Sequence, residues 1–328
     1  MRKIFGLAVF GSVIAGGGAG ALVALRTALP PLQAVDRPVE YRKINSHSTV
    51  ADRPNSQNAP PARREEVPQT QDGARFRRVM EYARQQKLSD RPMGEIMQAI
   101  GNQFLGAPYK ANLLDRSNIE TLVVTLDKFD CVLFVETVLA IARGVAVKDY
   151  TYQSFTDNLI NLRYRDGELH GYCSRLHYFS EWISDNQKRD NVTEIASRMG
   201  GIRLNKKLNY ISTNRANYAP MALDDLNYQC FVQAENKLAD LSMNYIPISS
   251  IRRVYPQLQP GDIVAVATSI PGLDVTHTGL VYRNANGTMG IIHASPNGTV
   301  RVSRDLQYYV GNIKNAIGIM VARPKDPR

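Results

Sequence analysis

The sequence predicts an α+β domain, in which one buried helix packs against an antiparallel sheet. The helix is indicated by apolar residues at three- and four-residue spacing within residues 128–143. The sheet is indicated by strand-like runs separated by turn signals, which begin at Leu258 and continue to Val302. Strands joined in this way form a meander, and a meander can pack on a helix to form an α+β domain.

Residues 1–34 have the pattern of a targeting segment. A basic start precedes an uncharged run of 22 residues, Ile4 to Leu25, which is long enough to span a bilayer. Six glycines dilute this run, and small residues at 19–21 and at Ala34 could serve as cleavage sites. A cleaved signal peptide and a retained signal-anchor both remain open. In either case the rest of the chain is exported to the periplasm, free or anchored in the inner membrane.

Residues 35–75 are expected to form a disordered linker. They contain five prolines, scattered polar residues and one aromatic residue, Tyr41. Such a stretch buries too little apolar surface to offset its chain entropy. The folded domain is therefore expected to span residues 76–328.

The domain is predicted to begin with helices within residues 76–104, followed by a turn at Gly106–Tyr109. Residues Thr121–Leu126 could form a short strand or an extended approach to the next helix. Further helices are predicted at Tyr152–Leu162 and Leu176–Ile183 and around 218–240.

The predicted buried helix carries Cys131 in its first turn. Asp130 is placed as its N-cap, and Gly144 follows Arg143 as a stop signal. Unpaired N–H groups and the helix dipole favour negative charge at this end, and so they would lower the thiol pKa. An unpaired cysteine is nevertheless more often a small apolar core residue, and so a nucleophile needs a histidine from elsewhere in the chain.

Two histidines flank the strongest hairpin signal of the chain, Asn286–Gly287. The hairpin would bring His277 and His293 onto neighbouring strands at roughly the same level. A thiolate can attack an acyl carbon while one imidazole moves the proton and a third polar group orients that imidazole. The rate of such a reaction should rise as the pH passes the histidine range near 6.5.

Six short motifs occur in the chain: Gly106–Tyr109, Phe129–Glu136, Ser174–Phe179, Leu258–Asp262, His277–Val281 and Ile292–Ser295. The second and the last three resemble motifs of the NlpC/P60 superfamily of cell-wall cysteine hydrolases. With Gly106–Tyr109 and Ser174–Phe179 added, residues 76–328 resemble the DUF1460 branch, described as N-acetylmuramoyl-L-alanine amidase-like.

The resemblance implies a papain-like fold with Cys131 as nucleophile, His277 as base and His293 as the orienting residue. The substrate would be peptidoglycan or muropeptide fragments, cut through a thioester between N-acetylmuramic acid and L-alanine. The residues expected to bind substrate are Tyr109, Asp130, Ser174, Arg175, His177 and Tyr178. Two alternatives stay open: a γ-D-glutamyl-diamino acid endopeptidase and a non-catalytic wall-binding module.

Composition excludes some partners. The net charge of +10 comes without a long basic block or a nucleic-acid motif, so we expect no nucleic-acid partner. We expect a monomer, although no sequence feature decides the oligomeric state. No cysteine has zinc-ligand spacing, and neither a metal nor another cofactor is expected. The three cysteines leave one free. Cys173 stands where the family usually has a small residue. It could lie beside Cys131 or form a disulfide with Cys230.

Overall fold

The structure, a computed structural model, describes residues 67–328 except 116, 118 and 297. The predicted targeting segment and most of the predicted linker lie outside the described residues. The first helix begins at Gln71, so residues 71–75 of the predicted linker are helical, with Thr70 as N-cap. No helix in the described part of the chain has the length and apolarity to cross a membrane.

The described residues form helices and strands in a mixed order. The helices are α1 Gln71–Gln85, α2 Met93–Asn102, α3 Cys131–Ala146, α4 Tyr152–Arg163, α5 Phe179–Lys188, α6 Tyr210–Thr213, α7 Ala219–Ala222, α8 Asp225–Lys237 and α9 Leu306–Gly311. The strands are β1 Val192–Glu194, β2 Ile202–Leu204, β3 Met243–Pro247, β4 Ile263–Thr268, β5 Val275–Arg283, β6 Met289–Ala294, β7 Val300–Ser303 and β8 Ala316–Pro324.

These strands form one antiparallel sheet of eight strands, in the order β2-β3-β8-β4-β5-β6-β7, with β1 paired to β8. The predicted meander is confirmed, because β4 pairs with β5, β5 with β6 and β6 with β7. The last strand, β8, returns to pair with the other edge of β4. The α+β class is therefore confirmed.

Helix α3 packs against one face of this sheet. Its side chains share the main core with Leu280 of β5 and Ile292 of β6. The predicted N-cap is confirmed, since the Asp130 carboxylate accepts from the amides of the second and third residues of the helix at 3.0 and 2.8 Å. The predicted stop at Gly144 is wrong, because α3 continues to Ala146. A Cβ at Gly144 would lie 2.7 Å from the Asp149 carbonyl oxygen, so close approach of the next turn explains this glycine.

The opposite face of the sheet is covered by α9 and the 3₁₀ helix Ile248–Gln257. There, Val281 of β5 and Ile291 of β6 pack with Leu306 and Val310 of α9. Because both faces are covered, every residue of β4 and β6 is buried.

A third, smaller core lies between the short helices α6 to α8 and residues 172–178, and includes Tyr172, Tyr218 and Phe231. A disulfide joins Cys173 to Cys230 of α8, whereas Cys131 is a free thiol. The disulfide alternative is confirmed. The alternative that placed Cys173 beside Cys131 is wrong, because Cys173 is already paired.

Two predicted elements differ from the structure. The helix predicted from Leu176 begins at Phe179, because Arg175 bridges to Tyr164 and the Leu176 amide donates to the Arg163 carbonyl. Residues 121–126 are extended but belong to no strand, so they form the extended approach to α3 and not the short strand. The helix expected around 218–240 is divided into α7 and α8.

Candidate active site

Cys131 begins α3 with its side chain almost fully buried. The backbone N–H groups of Thr278 in β5, of Cys131 and of Val132 lie close enough to the sulfur to stabilise a thiolate. Burial acts in the other direction and is the larger effect, followed by the negative charge of Asp130. Together they raise the thiol pKa to about 12. The amides at the start of the helix act to lower this pKa, as expected, but burial outweighs them, so the thiol is protonated at neutral pH.

The two predicted histidines are in direct contact. His277 Nε2 lies 2.8 Å from His293 Nδ1, and His293 Nε2 lies 3.2 Å from Ser303 Oγ in β7. In the β5–β6 register Leu280 pairs with Ile292, and the preceding Gly279 lies against His293. A Cβ at Gly279 would lie 2.9 Å from His293 Cβ, so the glycine leaves room for the pair.

Both imidazoles are neutral at pH 7. Burial lowers the pKa of His277 to about 4. Burial also lowers the pKa of His293 well below its usual range, with smaller contributions from His277 and the Arg301 charge. His277 Nδ1 is buried and has no hydrogen-bond partner among the described residues. When His277 donates its Nε2 proton to His293, Nδ1 carries a free lone pair that can accept a proton.

Two tyrosines lie near the cysteine. Tyr109 is positioned by its amide, which donates to the Gly298 carbonyl at 2.8 Å, and by a bridge to Phe129. Tyr309 of α9, which the sequence reasoning missed, places its hydroxyl 3.3 Å from His293 Nδ1. Burial raises the pKa of both phenols, and a charge on Cys131 raises each further. No sequence signal marks Tyr309, because its position depends on how α9 packs on the sheet.

A pocket extends from Cys131. Four of the six residues expected to bind substrate line it, together with three charged residues that were not predicted. The predicted lining residues are Tyr109, Asp130, Arg175 and His177, and the unpredicted ones are Asp115, Glu136 and Arg163. No group of three or more His, Cys, Asp or Glu side chains is arranged to hold a metal ion in the part of the chain that the structure describes.

The other two residues expected to bind substrate lie outside this pocket. The Ser174 hydroxyl donates to the Gly171 carbonyl within a local turn. The Tyr178 hydroxyl donates to Glu235 at 2.7 Å and accepts from the Ile211 amide. Both side chains thus make structural hydrogen bonds.

Arg175 was expected to capture a substrate carboxylate, but carboxylates of the protein already pair with it. Its guanidinium forms ion pairs with Asp115 at 2.5 Å and with Glu120 at 3.3 Å. The neighbouring His177 donates from Nδ1 to the Arg175 carbonyl at 2.7 Å.

A buried ion pair between α3 and α4 lines part of the pocket. Arg163 Nε lies 2.7 Å from Glu136 Oε2, and both side chains are 1% exposed. Trp182 Nε1 donates to the other Glu136 oxygen at 3.2 Å. The signal that could have found this pair is Glu136 itself, because a carboxylate inside an otherwise apolar helix is rarely buried without a partner.

Comparison with known proteins identifies the family. The profile of the AmiA-like, N-acetylmuramoyl-L-alanine amidase-like family matches residues 99–319, which include the whole site from Tyr109 to Tyr309. The chain belongs to this family. The crystal structure of an N-acetylmuramoyl-L-alanine amidase from Bacteroides uniformis is 31% identical, with a TM-score of 0.67, and the match covers 71% of this chain and 99% of that one.

Two other solved structures are similar to this member of the amidase-like family. A Bacteroides fragilis protein provisionally called a xylanase is 32% identical, with a TM-score of 0.64 over 68% of this chain and 98% of that one. A Legionella pneumophila protein of the DUF1460 family is 21% identical, with a TM-score of 0.57 over 78% and 98% of the two chains, and shows a shared fold. No curated protein gives a significant match.

Proposed function

We propose that this amidase-like protein hydrolyses the amide between N-acetylmuramic acid and L-alanine in peptidoglycan or its fragments, with Cys131 as nucleophile. Family membership supports the reaction class. The observation that carries the residue assignment is the buried His277–His293 pair. This pair leaves His277 Nδ1 without a hydrogen-bond partner among the described residues. The next residue, Thr278, places its backbone N–H beside the Cys131 sulfur.

In this mechanism Cys131 and His277 rest as a neutral thiol and a neutral imidazole. His277 Nδ1 takes the thiol proton as the sulfur attacks the lactyl carbonyl carbon, while His277 Nε2–H remains donated to His293. We assign the oxyanion to the N–H groups of Cys131 and Thr278, which lie beside the sulfur. His277 then protonates the leaving amine of L-alanine, and water hydrolyses the thioester.

The carboxylates of the pocket favour this chemistry over glycoside hydrolysis, which the provisional name of the Bacteroides fragilis relative would require. A glycosidase usually needs two carboxyl groups that face the scissile bond. Here the side chain of Asp130 caps α3, that of Asp115 pairs with Arg175, and that of Glu136 pairs with Arg163.

The disulfide supports an exported location, since disulfides form and persist in oxidising compartments. We therefore propose that the protein acts in the periplasm, either free after cleavage of residues 1–34 or anchored to the inner membrane by them. There we propose that it acts as a monomer on muropeptides or intact wall.

The test is digestion of purified muropeptides by wild type and Cys131→Ala side by side, with products identified by mass spectrometry. Wild type should release the whole peptide from the sugar. The variant should give no turnover and should melt within a few degrees of wild type. Cleavage at the γ-D-glutamyl-diamino acid bond would assign the endopeptidase reaction instead. Binding without cleavage by wild type would indicate a wall-binding module, and unchanged turnover in the variant would remove Cys131 as nucleophile.

A further inference from the structure

Three buried nitrogen atoms of pocket-lining residues have no hydrogen-bond partner among the residues that the structure describes. One of them, Arg175 Nε, still lies 3.3 Å from Glu120 Oε1 in an ion pair. The other two are Arg163 Nη2, on a side chain that is 1% exposed, and His177 Nε2, on one that is 5% exposed. Buried polar groups are nearly always paired, because an unpaired one costs about 1–3 kcal/mol. Such atoms in the walls of a pocket that also contains the reactive thiol indicate a place where ligand atoms complete the hydrogen bonding.

The two nitrogens differ in what they can bind. Arg163 already donates from Nε to Glu136 and from Nη1 to the Val123 carbonyl, so Nη2 remains as a donor. The His177 ring donates from Nδ1 to the Arg175 carbonyl, and the neutral ring then has an acceptor lone pair on Nε2. The pocket thus offers one donor and one acceptor.

The charge around these atoms favours a neutral ligand group. Glu136 balances the Arg163 charge, and Asp115 and Glu120 balance that of Arg175. Since both cations are already neutralised, no excess positive charge remains to select a carboxylate.

Packing also fixes the acceptor in place. The His177 ring lies between Tyr172 and Phe231, with ring centroids 4.7 Å away in each case. Phe231 belongs to α8, which the Cys173–Cys230 disulfide ties to residues 172–174. A ring held in this way needs little reorganisation when it binds a ligand.

We propose that Arg163 Nη2 and His177 Nε2 form a subsite for the stem peptide, donating to a backbone C=O and accepting from a backbone N–H. In an extended peptide these two groups of one residue point to the same side, as they do in an antiparallel sheet. In the acetamido group of the sugar, by contrast, the N–H and the C=O of the single amide point in opposite directions, because a secondary amide is trans. This inference rests on the proposed function, since the stem peptide is the part of that substrate beyond L-alanine.

The experiment compares kcat and KM on two substrates, N-acetylmuramoyl-L-alanine and the same compound extended by γ-D-glutamyl-diamino acid. Wild type should prefer the longer substrate. His177→Asn keeps a donor for the Arg175 carbonyl but removes the Nε2 acceptor. Its kcat/KM on the longer substrate should fall about five- to tenfold, mainly through KM, as expected for one lost hydrogen bond. On the short substrate it should stay within about twofold.

Arg163→Lys keeps a charge beside Glu136 but loses Nη2, together with the Nη1 hydrogen bond to the Val123 carbonyl. It should show the same loss on the longer substrate, and its melting temperature measures the effect of the lost Nη1 bond. Tyr218→Phe is the matched control. It removes a buried hydroxyl that also lacks a hydrogen-bond partner among the described residues. Tyr218 belongs to the small core and does not line the pocket. The variant should therefore cleave both substrates as wild type does.

Equal losses on both substrates in the two pocket variants would overturn the subsite and leave the proposed function standing. That result would indicate either recognition of the sugar or a structural role. Cleavage of neither substrate by wild type would overturn the proposed function itself, and the subsite with it.

Discussion

The candidate active site has a reactive side, formed by α3 together with β5 and β6, which carry the two histidines. It has a second side, formed by residues 175–177 of the pocket wall with α8 behind them. The reactive side belongs to the main core, where all but one residue of α3 is buried and the cysteine is unpaired. The second side rests on a small aromatic core and a disulfide, and several of its buried polar atoms find no hydrogen-bond partner within the described part of the chain. The difference suggests that the chemistry depends on the rigid sheet, whereas substrate selection depends on a separately fastened wall.

Replacing a histidine by asparagine on each side should give the largest difference in kinetics between the two sides. His277→Asn should reduce kcat by about a thousandfold on both substrates, because it removes the proposed base. His177→Asn should mainly raise KM on the longer substrate. Steady-state kinetics with both variants checks this, with thermal melting to verify folding. A loss in His277→Asn that lies only in KM would show that His277 is not the base.

Removing the disulfide should affect stability more than chemistry. The bond closes a sequence separation of 57 residues, and the loop-entropy relation gives about 4 kcal/mol for a loop of that length. The double variant Cys173→Ser, Cys230→Ser should therefore lose about that free energy of unfolding in urea. Its kcat on the short substrate should remain close to that of wild type. A collapse of kcat in the folded double variant would mean that the second side also positions the reacting groups.

The pH profile tests the reactive side alone. His277 must be neutral to accept the thiol proton, and its pKa lies near 4 rather than at the ordinary value of 6.5. As far as His277 controls the rate, activity should fall as the pH drops through about 4, instead of through 6.5 as the sequence led us to expect. Between these two values His277 is more protonated in the unfolded chain than in the folded one, so the contribution of His277 to stability falls as the pH is lowered. Asp130 acts in the opposite direction, because burial raises its pKa to about 6. Initial rates should be measured only where the protein is folded, and a midpoint near 6.5 would contradict the buried neutral base.

The smallest expected effect concerns Asp130. Its charge is the second cause of the raised Cys131 pKa, after burial. Asparagine caps a helix about as well as aspartate, so Asp130→Asn should preserve α3 while lowering the thiol pKa. Alkylation of Cys131 by iodoacetamide at pH 8 should become a few-fold faster. An unchanged alkylation rate, with an unchanged melting temperature, would show that the Asp130 charge does not control the thiol pKa.

Local patterns predicted the reactive side because its elements are long and regular. Helical spacing placed Cys131 in the first turn of α3, and the Asn286–Gly287 turn set the hairpin that carries His277 and His293. The same patterns failed where tertiary contacts decide. Arg175 was assigned to substrate, yet it pairs with Asp115 and Glu120 from a region without regular structure.

By itself, the sequence determined the α+β class, the cysteine at the helix start and the histidine hairpin, because periodicity and turn chemistry act over a few residues. Only the tertiary structure decided the neutral thiol, the Cys173–Cys230 pairing and the unpartnered nitrogens of Arg163 and His177. These depend on burial and on which distant groups meet. Burial changes a pKa, and leaves an atom without a partner, only once the chain has folded around it.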